Sequence, residues 1–149
     1  MWSDLKRYRQ AAPAERRLLC EALAALALAR IAMACIPFRR IAAWLGTPGL
    51  AGPDAVSPQQ DRVAALVGWA VSVLGPRVPW DGRCLAQALA ATAMLRRRGI
   101  EGTVSFGVSA AHAPGFTAHA WLRVGSRIVT GAPGHELYSA FTTFARSRS

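Results

Sequence analysis

The sequence predicts an α+β fold in which helices come first and a small antiparallel sheet follows. Two observations carry this: apolar residues recur at helical spacing as far as Gly99, and beyond it they alternate one by one. A third is Gly125-Ser126, a two-residue turn of the glycine-first type that joins hairpin strands. At 149 residues and 52% hydrophobic content, the chain suits one domain with a real core and is not a disordered polymer. Within residues 1–149, residues 1–46 read as an N-terminal helical layer and 59–149 as the core that carries chemistry.

The elements follow in order. Residues 14 to 36 form a long helix closed by Pro37. The uninterrupted apolar run between Glu21 and Arg30 is shorter than the roughly 20 residues of a membrane span. Those two charges lie on opposite sides of the helix, so burial between helices is favoured over a membrane or partner-protein face. Ile41 to Leu45 is a short apolar segment ending at Gly46, and GTPGLAGPDAVSP is a loop separating the helical layer from the rest. Gln59 to Leu74 is helical again, with Val63, Leu66, Val67, Ala70, Val71 and Leu74 as its inner stripe. Gly75-Pro76 breaks it. Next comes WDGRCLAQALAATAMLRRRG, a helix with Asp81 as its N-cap, Cys84 in its first turn, Arg96 to Arg98 near its C-terminal end and Gly99 as its stop. Ala88, Ala91, Thr92 and Leu95 share its inner face. Thr103 to Ser109 is a strand, AAHAPG a loop beside the cleft, and Thr117 to Val124 a second strand that pairs with Arg127 to Gly131.

Charge and cysteine content narrow the function. The formal net charge of +10 comes almost wholly from arginine, since Lys6 is the only lysine. Such a surface attracts acidic peptides, acidic proteins, nucleic acid or anionic membranes, or it simply keeps the chain soluble. No helix-turn-helix, zinc or base-stacking motif accompanies it, which sets nucleic acid aside. Cys20, Cys35 and Cys84 form no CxxC pattern, and on one helix Cys20 and Cys35 stand about 22 Å apart, too far for a disulfide. A reducing cytoplasm fits, and the polar N-terminus lacks a signal-peptide apolar region.

Cys84 is the residue around which the chemistry gathers. Free backbone N–H groups and the positive end of the helix dipole favour a thiolate there, and Arg83 adds to this while Asp81 opposes it. His119 lies on the strand Thr117 to Val124, on the face shared with Trp121. A cysteine at a helix start beside a histidine-bearing strand is the papain-like and transglutaminase-like arrangement: imidazole takes the thiol proton, thiolate attacks a carbonyl, and backbone N–H groups hold the oxyanion. No cofactor is called for. His112 and His135 match no common metal spacing with Cys84 and His119 and read as loop histidines.

RCLAQALAATAMLRRRG, SFGV and FTAHAWLRV together resemble the signature blocks of the leader peptidase, or B protein, of lasso peptide biosynthesis. LLCEALAALALARIAMACIPFRRIAAWLG is similar to that family's N-terminal helix. The resemblance implies a transglutaminase-like cysteine protease that removes the leader from a ribosomally made precursor. Its partners would be a separate leader-recognition protein and an ATP-dependent macrolactam synthetase. Cys84 matches the nucleophile and His119 the general base. The family's orienting aspartate, about a dozen residues after the histidine, has no counterpart among Thr130, Gly131 and Ala132.

Three solutions stay open for the imidazole. Thr130 or a backbone carbonyl orients it, Glu136 folds back to it, or a Cys-His dyad suffices. A simple hairpin register places Ala132 opposite His119 and Thr130 diagonally beside it. Gln87, one turn past Cys84, either faces substrate or packs on the helix surface. Trp121 either covers the imidazole or fills the core, and Trp80 is a further candidate for contacting substrate. Transfer of the acyl group to an amine, and a non-catalytic basic peptide-binding scaffold, are the competing functions.

Overall fold

The structure is a computed structural model that describes residues 11–109, 117–133 and 135–147. Among these residues the helices are α1 (Pro13–Cys35), α2 (Phe38–Leu45), α3 (Pro58–Leu74) and α4 (Cys84–Arg96). The strands are β1 (Thr47–Pro48), β2 (Thr103–Ser109), β3 (Thr117–Val124), β4 (Arg127–Thr130) and β5 (Ser139–Ala145). They form one sheet in the order β1-β5-β2-β3-β4, with every neighbouring pair antiparallel. The four helices pack against this sheet, giving the α+β architecture.

Small side chains decide which helix lies in the middle. In α4, Ala86, Ala88, Ala90 and Ala91 are buried together with Leu89, Thr92, Met94 and Leu95, so this helix is enclosed on nearly all sides rather than on one face. It touches α1 and α3 on one side and β3 and β4 on the other. Alanine permits that double contact because it brings packing layers close without a long side chain to accommodate. The buried hydroxyl of Thr92 donates to the Ala88 carbonyl at 2.7 Å and so leaves no orphan in the core. The apolar cluster around α4 runs from Ala22 and Leu26 on α1 through Leu45, Val67 and Val71 to Val104, Leu122 and Phe144 on the sheet.

Several boundaries agree with the sequence reading, and four features differ. The stretch read as a loop after Gly46 begins with β1, which adds an edge strand beside β5. β5 itself was not foreseen, because SAFTTFA carries only a weak alternation and its outer residues are exposed. On α3, Leu66 is 54% exposed instead of internal, and the buried stripe is Ala64, Val67, Gly68, Ala70 and Val71. The helix has rolled toward Gly68, where a Cβ would stand 2.6 Å from the Val129 carbonyl oxygen, so the missing side chain admits β4. On α1 only Ala22, Leu26 and Ala29 are buried, which corrects the expectation of a helix enclosed between helices. It is an outer layer, packed by one side.

Arginines tie the layers at their margins. Arg96 donates to the carbonyls of Trp44 at 2.6 Å and Leu45 at 2.5 Å, joining the end of α4 to the end of α2. Arg98 pairs with Glu21 of α1 at 2.7 Å, and that hydrogen bond is the main reason the Glu21 carboxyl titrates below its ordinary value. Arg127 makes a bidentate pair with Asp61 of α3, both contacts at 2.7 Å.

Two stability outcomes follow. Gly68→Ala, which in an open helix would stabilise, lowers unfolding free energy by about 1–3 kcal/mol in urea titration because its methyl meets the Val129 carbonyl. A depressed carboxylate contributes stability above its ordinary titration range and loses it as pH falls through the folded-state range. Glu21→Gln therefore costs about 0.5 kcal/mol near neutral pH and progressively less in acid, as read from urea midpoints across pH.

Candidate active site

Cys84 is the first residue of α4, and Arg83, in extended geometry, is the N-cap. Asp81 is therefore not the cap: its carboxylate accepts from the Arg83 N–H at 3.2 Å and pairs with the Arg83 guanidinium at 2.9 Å, closing a turn before the helix begins. That pairing holds the Asp81 carboxyl below its ordinary range, so it is a carboxylate whose charge is answered by Arg83. The first helical hydrogen bond is from the Gln87 N–H to the Arg83 carbonyl, at 3.0 Å. The N–H groups of Cys84, Leu85 and Ala86 thus have no partner within the helix, and they surround a half-buried thiol. They are the donors an oxyanion would use.

Gln87 is engaged with the backbone ahead of the helix. Its side-chain amide donates to the Gly82 carbonyl at 2.8 Å and pins the segment that leads into Cys84. Trp80, half-buried in the same segment, keeps its indole Nε1 buried without a hydrogen-bond partner.

His119 lies on β3 opposite Gly107, in a cluster of rings. Trp121 stacks against it with ring centroids 5.9 Å apart, and Tyr138 tilts over it at 5.0 Å. At 8% exposure Trp121 is a wall for the imidazole more than a surface for substrate. Nε2 of His119 lies 2.8 Å from the carbonyl oxygen of Gly131, twelve residues on. A carbonyl only accepts, so Nε2 carries the proton and the neutral ring keeps its lone pair on Nδ1. Among the described residues Nδ1 has no hydrogen bond, and neither has the Cys84 thiol.

The expected register stops short of His119. Arg123 pairs with Ile128, but Leu122 pairs with Thr130, so an extra residue, Val129, bulges on β4 and the ladder ends there. Thr130 consequently shares the core face with Leu122, is 1% exposed, and its hydroxyl has no partner. It does not orient His119, which is on the other face. Glu136 does not fold back either, since its carboxylate lies 3.4 Å from His135 and is exposed. His135 also contacts the Ala132 carbonyl at 2.8 Å. Of the three open solutions, the backbone carbonyl is the one found, with Gly131 standing where the resemblance places an acid.

The end of β4 has a second effect. Beyond Leu122, β3 has no ladder partner on that side, so His119 sits at a margin of the sheet. α4 runs with its Arg96 end toward the edge where β1 meets Ala145, and its Cys84 end therefore points toward the opposite end of the sheet. Tyr138 and Gly131 were missed as site residues. The signal for Gly131 was its distance from His119, whereas nothing local distinguishes Tyr138. Among the described residues no group of three or more His, Cys, Asp or Glu is placed to hold a metal. His112 and the AAHAPG loop lie outside the described residues.

The family model described as transglutaminase-like superfamily matches residues 32–146. No curated protein and no solved structure matches the chain.

Gly131 has φ of +77°, and a Cβ there would stand 2.7 Å from the Ala120 carbonyl oxygen. Gly131→Ala is expected to move the carbonyl off Nε2 and to cost about 1–3 kcal/mol. Nitrogen NMR of the imidazole reads the outcome: one Nε2–H tautomer in the parent chain, and a mixture of tautomers in the variant.

Proposed function

We propose that this chain, which belongs to the transglutaminase-like superfamily, is a cysteine endopeptidase that removes the leader from a ribosomally made lasso precursor peptide. Membership is consistent with cysteine-based hydrolysis or acyl transfer. The observation that carries the reading is the Nε2 to Gly131 contact of 2.8 Å, which leaves Nδ1 as the basic nitrogen on a strand whose opposite face is packed by the helix that starts at Cys84. Support for the lasso precursor as substrate comes from the blocks RCLAQALA and AHAW and from their order in the chain.

In this mechanism the substrate complex must bring Cys84, at the start of α4, to His119, whose ring lies on the face of β3 turned away from that helix. Nδ1 takes the thiol proton, and the thiolate attacks the carbonyl at the end of the leader. The unpaired N–H groups of Cys84, Leu85 and Ala86 supply donors for the oxyanion. The imidazolium then protonates the leaving amine, and water attacking the thioester regenerates the enzyme. A neutral carbonyl stabilises the imidazolium less than a carboxylate does, so cleavage depends on partners that close the pair. Those partners are a separate leader-recognition protein and an ATP-dependent macrolactam synthetase, in the cytoplasm.

The test incubates the chain with precursor peptide and the leader-recognition protein and follows products by mass spectrometry. Free leader is expected, with a loss of about 10³-fold or more in Cys84→Ala and in His119→Ala. A leader joined to an amine would identify acyl transfer instead. Undiminished cleavage in either variant removes the cysteine mechanism, and a chain that binds precursor but never cleaves it is the basic scaffold.

A further inference from the structure

The outward side of α1 is built the wrong way round for water. Counting about 100° per residue, Cys20, Leu23, Ala24, Ala27, Leu28, Ile31, Ala34 and Cys35 span one arc of about 140°. Leu28 is 65% exposed, Ile31 58% and Leu23 44%, and from Cys20 to Cys35 the arc contains no charged residue, while Arg16 and Arg17 continue it one turn earlier. Glu21 and Arg30 border it on opposite edges. An ordinary surface helix places its polar residues on that side. Here an 18-residue window of mean hydropathy 1.9 is only 17% buried, and by length and composition the helix could cross a bilayer. It also holds core: Leu26 is fully enclosed against α3 and α4, which ties the helix to the fold along its other side.

Beside the arc, α1, α2 and α4 enclose an apolar groove of about 840 Å³ with Ala25, Leu28, Ile36, Trp44 and Met94 among its walls. Its cations are Arg40 and Arg97, and its one acid, Glu21, is already paired with Arg97 and Arg98. Arg39 and Arg40 follow the helix directly, are exposed, and form no ion pair among the described residues. Trp44 stands exposed on the same short helix, an amphipathic ring of the kind that settles at a lipid headgroup layer, and Phe38, the first residue of that helix, adds exposed apolar surface.

We propose that this face, the outer arc of α1 with the groove and the arginines of α2, docks on an anionic lipid bilayer, lying in the interface without crossing it. Crossing would require Leu26 and Ala22 to leave the core. A second copy of the chain is disfavoured by a net charge of +10 on each partner, whereas acidic headgroups complement it. The proposal is independent of the reaction at Cys84.

The full chain is mixed with vesicles of phosphatidylcholine alone or of phosphatidylcholine with phosphatidylglycerol, and partition is read by sedimentation. Binding to the anionic vesicles is expected, stronger by about tenfold or more than to neutral ones. Leu28→Asp with Ile31→Asp, both outside the core, abolishes it while circular dichroism stays unchanged. Arg39→Glu with Arg40→Glu removes the preference for anionic lipid. Absence of partition to anionic vesicles overturns the proposal, as does equal partition by the Leu28/Ile31 double variant. So does a dimer in solution that this double variant dissociates and that ignores lipid.

Discussion

The enclosure of α4 is the constraint on which the rest depends. A helix contacted by α1 and α3 on one side and by the sheet on the other has room only for small residues along much of its length, and CLAQALAATAMLR supplies them. Once its body is fixed, its first residue is fixed too, and that residue is Cys84. The segment that leads into it is held separately, by the Gln87 amide on Gly82 and by the Asp81–Arg83 pair. The thiol therefore sits on a rigid base at the one place on α4 where backbone donors are unspent.

The histidine is held by different means. Two neighbouring rings and a carbonyl on Nε2 define its plane and its tautomer without any carboxylate. That arrangement sets direction well and charge poorly, because a carbonyl dipole answers an imidazolium only in part. Rate would then rest on how firmly a substrate complex joins Cys84 to Nδ1. The register break at Val129 ends the β3–β4 ladder at Leu122 and leaves the imidazole beyond its last pair.

α1 shows how one helix meets two requirements. Its inner side contributes Ala22, Leu26 and Ala29 to the core, and its outer side continues apolar where solvent contact would favour charge. Cost in solubility on that side is offset by arginine elsewhere, and the same arginines give the face a preference for anionic surroundings.

By itself the sequence determined the elements whose signals are local. Pro37 and Gly46 bounded helices, alternation over Thr117 to Val124 marked a strand, and Cys84 and His119 stood out by residue type and by the blocks around them. Tertiary structure decided what depends on distant neighbours. Which side of α3 turned inward followed from Val129 meeting Gly68, and β5 formed because β1 and β2 flank it, not because SAFTTFA demands a strand. The partner of the imidazole was settled by a single inserted residue: a bulge carries no sequence signature of its own, yet it turned Thr130 into the core and brought the Gly131 carbonyl to Nε2. Periodicity reports one element at a time, whereas register and enclosure are properties of pairs.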